Sequence, residues 1–372
     1  MLLQKLGDVS SSLKLPTNKT ESWKYTSLRA LDLAAAKLQT GALANALAAS
    51  FALSAAPQAP LANTRQDVVW QSKTSGVFAE LAAAAAAFTH ALSGQQYFFL
   101  SPEQSNSIVQ QSHLFTLSAG AHATLIWQHT GQSENTFSNF LTQISLGEDS
   151  ELTLIRLQSA ANSASLIERS EISVAAGAKV RIIDINFGAL LARHELHITL
   201  EGAAAHAEVV SLSVINMRQH CDTQLVLNHN AANTTSNTRV KAVADARGRS
   251  VFNGRIYVAK GSDGTDAQLK TNNLLLSDAA EIDTKPELEI HAEDVKCSHG
   301  ATIGQLDDNA LFYMRSRGIE PSQARQILTV AFCLELLDAI PEPELRTKIV
   351  ALLTEKLPGA ALNPSTIDRA RI

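Results

Sequence analysis

Two periodicities divide this chain. In roughly the first hundred residues the apolar positions recur at helical spacing. Leu28, Leu31, Leu33 and Leu38 sit among Ala and Lys, and Leu43, Leu47 and Phe51 then follow four apart, on one face of a helix. Residues 80–92 are nearly all Ala, the strongest helix former, so a second helix is expected there with Gly94 as its stop. Pro57 and Pro60 separate the two helical regions. From about Ser112 to residue 310 the period changes to two. Short runs such as Thr124-Leu125-Ile126-Trp127, Lys179-Val180-Arg181-Ile182-Ile183 and Glu208-Val209-Val210-Ser211-Leu212 read as strands.

The strands carry a repeated turn phrase. LSAGAHATL, LGEDSELTL, VAAGAKVRI and LEGAAAHAEVV begin at Leu117, Leu146, Val174 and Leu200, at intervals of 29, 28 and 26 residues. Looser copies are expected at Val243 (VADARGRSVF), Leu276 (LSDAAEIDT) and Leu306 (LDDNALF). A strand-rich period in the twenties is the signature of a stacked β-solenoid, in which one coil of two strands cannot bury its own apolar face and must stack on the next. An antiparallel sandwich also spaces strands evenly, but it does not call for the same turn in every coil. After residue 310 the helical period returns. A short helix over Asn309–Arg317 can stop at Gly318, and Pro321 can open a second, with apolar positions Ala324, Ile327, Leu328, Ala331 and Phe332. Pro341 and Pro343 end that helix, and Leu345, Ile349, Leu352 and Leu353 mark a third. The expected architecture is mainly β: a parallel β-helix over 101–308, flanked by helical domains at 1–100 and 309–372.

Composition narrows the function. Of 372 residues, 31 are Lys or Arg and 36 are Asp or Glu, a net charge of −5, which argues against a phosphate-neutralising stripe for nucleic acid. The hydrophobic fraction of 45% is enough for a large core, although aromatics are only 5%, so aliphatic side chains and Ala must fill it. Residues 37–65 hold no charge between Lys37 and Arg65, but Gly41, Asn45, Pro57 and Pro60 interrupt them, so no membrane span is expected. The amino terminus lacks the apolar core of a secretion signal, and the expected compartment is the cytoplasm.

The candidate chemistry is sparse. Neither GxxxxGK[ST] nor GxGxxG occurs, and Gly261-Ser262-Asp263-Gly264 reads as a corner between coils. His194-Glu195-Leu196-His197 has i, i+3 histidines in strand-like sequence, not the helical i, i+4 pair that a zinc protease uses. His220 and Cys221 are adjacent, so in a strand they face opposite sides; the plain reading is a half-buried thiol beside a surface imidazole. Asp263, Asp266, Glu281, Asp283, Glu287 and Glu289 are the carboxylates that a polysaccharide-cleaving β-helix enzyme would need, although most fall in turn phrases. Cys297 and His299, two apart in Val295-Lys296-Cys297-Ser298-His299-Gly300, share one face of an extended chain. A thiolate and an imidazole suit iron or zinc, but two ligands are too few, so a second chain would have to complete the site.

Two stretches carry a resemblance. SVFNGRIYVAKGSDGTDAQLKTNNLLLSDAAEIDTKPELEIHAEDVKCSHGATIGQLDDNALFYMRSRGI, about seventy residues, and Glu21-Ser22-Trp23-Lys24-Tyr25-Thr26-Ser27-Leu28-Arg29 near the amino terminus resemble the SufB/SufD family of iron–sulfur cluster assembly proteins. The Cys297–Thr302 stretch is similar to the SufD branch. The upstream LLLSDAAEIDTKPELEI has no cysteine, and residues 1–220 have none, unlike the SufB branch. The resemblance implies a right-handed parallel β-helix between two helical domains. It implies a non-catalytic subunit that pairs with a SufB-like paralogue through the β-helix edge. A SufC-like ABC ATPase would dock on the carboxy-terminal helices, around Phe312 to Leu357, and the isolated chain would be able to pair with itself. It further implies that Cys297 and His299 are transient ligands for iron or a nascent iron–sulfur cluster at the SufB–SufD interface, with no cofactor held by this chain alone. A stand-alone β-helix enzyme acting on polysaccharide is the alternative that the carboxylates leave open.

Overall fold

The turn phrase marks a corner where one strand of a coil ends and the next begins. In the computed structural model, which describes residues 19–27, 86–100, 105, 108–131 and 133–357, the strands form two parallel sheets of eight. The first stacks β1 (Ala86–Ala91), β3 (Ile108–Leu117), β5 (Phe137–Leu146), β7 (Ser165–Val174), β9 (Leu191–Leu200), β11 (His220–His229), β13 (Arg249–Val258) and β15 (Glu281–Ile290). The second stacks β2 (Gly94–Leu100), β4 (His122–Gly131), β6 (Glu151–Ala160), β8 (Lys179–Asn186), β10 (His206–Ile215), β12 (Thr235–Ala244), β14 (Thr265–Leu275) and β16 (Val295–Gly304). Successive coils are in register, Leu117 beside Leu146, Leu146 beside Val174 and Val174 beside Leu200, so the solenoid read from the turn spacing is the fold.

Six successive corners that lead from the first sheet to the second each hold a left-handed residue. Gly120, Asp149, Gly177, Ala204, Asn233 and Gly264 all have φ between 54° and 76°. Gly, Asp and Asn are the residues that take this conformation at least cost. The corners also hydrogen-bond to one another. The Gly120, Asp149 and Gly177 amides donate to the Glu148, Ala176 and Ala203 carbonyls at 2.8, 2.9 and 3.0 Å. The continuation of this corner is HNAANT and AKGSDG. The expected looser copies at Val243 and Leu276 lie instead on the opposite corner, half a coil out of phase, and the one at Leu306 leads out of the solenoid.

Between the sheets runs one apolar core. In the first sheet Phe115, Ile144, Ile172, Ile198, Leu227 and Ile256 occupy one register column. In the second, Leu125, Leu154, Ile182 and Val209 do the same. The outer face of the second sheet is apolar too. Ile126, Ile155, Ile183, Val210 and Leu212 pack under the carboxy-terminal helices. Those helices are α1 (Asp308–Ser316), α2 (Pro321–Leu337) and α3 (Pro343–Lys356), with Pro at the first turn of the last two, Asp307 capping α1 and Gly318 following it at φ 82°. Lys241 fastens α2 to the sheet. Its buried Nζ donates to the Phe332 carbonyl at 2.7 Å and to Glu335 at 2.5 Å, over the Phe332 ring. Lys241→Met is expected to lower unfolding free energy by about 1–3 kcal/mol, the worth of a charged hydrogen bond in partial burial. Urea denaturation checks it, and an unchanged midpoint would make the lysine ornamental.

One expectation fails here. Residues 80–92 were expected to be helical, but Ala86–Ala91 is strand β1, paired in parallel with β3, and Gly94, at φ 57°, opens β2 rather than stopping a helix. The intrinsic preference of Ala is a fraction of a kcal/mol per residue, and a ready-made sheet edge with Phe88, Thr89 and His90 available to pack outweighs it. The described strands therefore include Ala86–Ala91 and Gly94–Leu100, inside the expected helical domain 1–100. Its other predicted helices, and the uncharged stretch 37–65, lie outside the described residues. What is described near the amino terminus is a short 3₁₀ turn, Glu21–Trp23. Among the described residues no helix is long and apolar enough to cross a membrane.

Candidate functional site

The solenoid ends abruptly at β15 and β16, each paired on one side only. The consequence is clearest along two register columns of the second sheet. Val180, Ala207, Ser236 and Ala267 lead to Cys297, and Ile182, Val209, Thr238 and Leu269 lead to His299. Ala267 and Leu269 are 0% and 2% exposed. Cys297, one rung further, is half-buried against the same core, and His299 is exposed. Both residues thus sit on the inward face of the last rung, with α-carbons about 6.7 Å apart for two residues of strand. Among the described residues no further coil covers them. Ile290 and Ile303 are exposed on the same two strands, at 39% and 46%. Such an end, with two open hydrogen-bonding edges and uncovered core residues, is what a sheet normally hides.

The chemistry of the pair is that of an incomplete site. Burial pushes the Cys297 thiol up, with a backbone hydrogen bond at Ala267 acting against it and Asp266 adding to it. At neutral pH the sulfur therefore keeps its proton, and a metal must displace that proton to bind. Among the described residues no group of three or more His, Cys, Asp or Glu side chains can hold a metal ion. Cys297 and His299 supply one soft and one borderline donor, and further ligands have to come from outside the described chain.

The other candidates are dispersed. His194 and His197 both lie on β9 and face opposite ways: His194 is wholly buried, and burial lowers His197, with Arg169 adding to it, to about 4. His220 and Cys221 also face opposite ways, but the surface-imidazole reading needs correction. Cys221 is completely buried, its thiol pushed up to about 12 by burial and then by Asp184 and Asp222. His220 is covered by the amino-terminal segment, whose Thr26 Oγ1 lies 3.3 Å from its ring and donates to Asp222. Trp23 completes this cover, stacked 3.9 Å over the buried Arg193 guanidinium. Glu281, Asp283, Glu287 and Glu289 project from β15 and are paired with Arg249, Lys285 and Arg255, so they form no cleft lined by free carboxylates.

One constellation was not anticipated. Inside the solenoid Arg156 donates to Glu168 at 2.7 Å and to Asp184 at 2.8 Å; Glu168 also accepts from Trp127 at 3.0 Å and lies 2.7 Å from His129. His194 lies 2.9 Å from Asp184 and 3.0 Å from the Ser170 hydroxyl. All these side chains are almost fully buried. Burial alone would raise both carboxyls, but Arg156 with His129 holds Glu168 well below its usual range, and Arg156 with His194 brings Asp184 down to about 2. The network is ionised and sealed.

Comparison with known proteins agrees with this architecture. The family model for the SufBD core domain of the SUF system of FeS cluster assembly matches residues 98–332. The iron–sulfur cluster assembly protein SufD of Escherichia coli is 35% identical over 260 residues, covering 70% of this chain and 61% of that protein. A SufBD family protein of Synechocystis is 38% identical over 218 residues, 59% of this chain and 48% of the relative. The chloroplastic protein ABCI7 of Arabidopsis thaliana is 28% identical over 231 residues, 61% and 48% of the two chains. The chain thus spans between about half and three fifths of the length of these relatives.

Proposed function

This chain belongs to the SufB/SufD family of iron–sulfur cluster assembly proteins and is SufD-like, and from that premise we propose that it is a non-catalytic scaffold subunit whose open solenoid end pairs with a SufB-like paralogue. The observation that carries the reading is the last rung: Cys297 and His299 continue buried columns, yet among the described residues nothing covers them. A sister solenoid seated there satisfies both strand edges, buries Ile290 and Ile303, and brings its own ligands to the pair. The iron or nascent cluster passing through that seam is cargo. Cys297 gives up its proton when the cation arrives, and His299 lends a neutral nitrogen. In isolation the same end can join two copies of the chain.

The carboxy-terminal helices supply the second contact. α1 has no buried residue, and Phe312 and Tyr313 stand 72% and 59% exposed on it. An apolar pair held out on a short helix suits the docking of an ABC-type ATPase of the SufC kind, and ATP-driven movement there would reach the solenoid through α2 and its Lys241 anchor. In a complex reconstituted with SufB-like and SufC-like subunits, His299→Ala is expected to abolish cluster maturation, read by the cluster's visible absorbance, while the subunits still co-elute. Maturation at the unchanged rate would reject the ligand role, and dissociation of the complex would show a structural one.

A further inference from the structure

The corner that leads from the second sheet back to the first carries a groove of about 770 Å³, lined by Leu190, Met217, Arg218, Ala246, Arg247 and Ala279, with Asn162 and Gln219 beneath. It crosses the turns that precede β9, β11, β13 and β15, four stacked corners, so it is about 14 Å long at the usual rung spacing. Its floor is apolar and fixed. Gln219 is buried, donates to the Asn162 side chain at 2.9 Å and accepts from the Asn216 amide at 2.9 Å; Asn162 in turn donates to the Met217 sulfur at 3.6 Å.

The charges over this floor are unusual for the molecule. His220 pairs with Arg249 in register, and the Arg247 amide donates to the Met217 carbonyl at 2.9 Å, so Met217 stacks on Ala246 and Arg218 on Arg247. Both arginines are exposed and, among the described residues, neither has a carboxylate partner, whereas Arg169, Arg181, Arg239, Arg249 and Arg255 on the solenoid surface each have one. Two like charges one rung apart repel, on a chain whose net charge is −5. An anion set between them removes that repulsion.

We propose that this groove docks an extended, acidic and apolar peptide segment of a partner protein. A carboxylate would bridge Arg218 and Arg247, and aliphatic side chains would lie on Leu190, Met217, Ala246 and Ala279. An extended chain of about four residues matches the length. Among the described residues no aromatic ring lines the groove to stack a base or flavin, and aliphatic side chains flank the two arginines, so a peptide that combines a carboxylate with aliphatic side chains is the fitting occupant. The site lies on the turns, away from Cys297 and His299.

Fluorescence anisotropy with the full chain tests this, using a labelled peptide that alternates leucine and aspartate and a second with lysine in place of aspartate. The acidic peptide is expected to bind and the basic one not to. Binding should weaken roughly tenfold in the doubly substituted Arg218→Glu, Arg247→Glu chain, and that variant should take the basic peptide instead. It should also weaken in about 1 M salt, where screening reaches about 3 Å. Arg218→Gln with Arg247→Gln guards against misfolding: its melting temperature should be no lower than that of the parent. Equal binding of both peptides, or acidic-peptide binding untouched by charge reversal, overturns the proposal. So does arginine-dependent binding of inorganic phosphate or of phosphatidylglycerol vesicles without binding of the acidic peptide.

Discussion

Arg156→Met should destabilise the solenoid by about 3–5 kcal/mol, the cost of leaving buried charge without its counterion. Arg156 is the one guanidinium between Glu168 and Asp184, and both carboxylates stay ionised because of it. Without it, either two anions face each other in a dry core or protons must be taken up. Burial would lower the basicity of Arg156, yet Glu168 and Asp184 more than reverse this and raise it, so the pair is balanced from both sides. Methionine has comparable reach and no charge, which keeps the packing loss small. Guanidinium denaturation at pH 7.5 measures the effect. Adding Glu168→Gln and Asp184→Asn to Arg156→Met should recover much of the loss, because the unpaired charges are then gone. A single substitution that costs less than about 1 kcal/mol would mean that water reaches this network and that the core there is not sealed.

The parity of the network's charged residues is legible in the sequence; their meeting is not. Along β6 the inward positions are Leu152, Leu154, Arg156 and Gln158; along β7 they include Leu166, Glu168 and Ile172; along β8, Val180, Ile182 and Asp184. A charge at the parity of the apolar residues, repeated in three neighbouring half-coils, predicts a buried ionic cluster once the coils are known to stack. What hid it was the need for register: spacing gave the period, but not which residues meet across the two sheets. The solenoid itself and the three final helices were readable because each rests on a local signal, a left-handed corner or a proline at a helix start. Strand β1 was not, since its conformation is dictated by its neighbour β3 and its own alanines favour helix. Cys297 and His299 could be placed on one face from their spacing. That they cap the column above Ala267 and Leu269 depends on where the stack stops, which no local pattern records. The cover provided by Trp23 and Thr26 over Arg193, His220 and Asp222 links positions almost two hundred residues apart, and a single sequence carries no sign of such a contact.

Mild acid should unfold this protein well before its carboxylates titrate. His90 and His229 are held at about 4 by burial, and His197 and His220 also lie at about 4, burial again being the main cause, with Arg169 assisting at the first and Arg249 and Arg193 at the second. His113, wholly buried, is also lowered well below its ordinary value, by burial first and His90 second. In the unfolded chain each of these imidazoles titrates near 6.5. Between pH 6.5 and 4 the unfolded state therefore binds more protons than the folded one, and stability rises with pH across that window. Each such histidine contributes a slope of up to about 1.4 kcal/mol per pH unit, so several acting together can exhaust an ordinary folding free energy above pH 4. Glu168 and Asp184 act elsewhere. Their folded values are depressed, so their contribution is complete above about pH 4 and is lost only as pH falls toward about 2. Thermal melts should show a level midpoint from pH 8 to 7, a steep decline below about 6.5 and no cooperative transition by about pH 4.5. His90→Phe should flatten the decline, because the ring already stacks on Phe115 at 4.7 Å and meets Phe98 edge-on at 4.9 Å, contacts that phenylalanine can keep while taking up no proton. A midpoint that holds level down to pH 4.5 and drops only below pH 4 would assign the acid sensitivity to the carboxylates, and would mean that the buried imidazoles accept protons without leaving the fold.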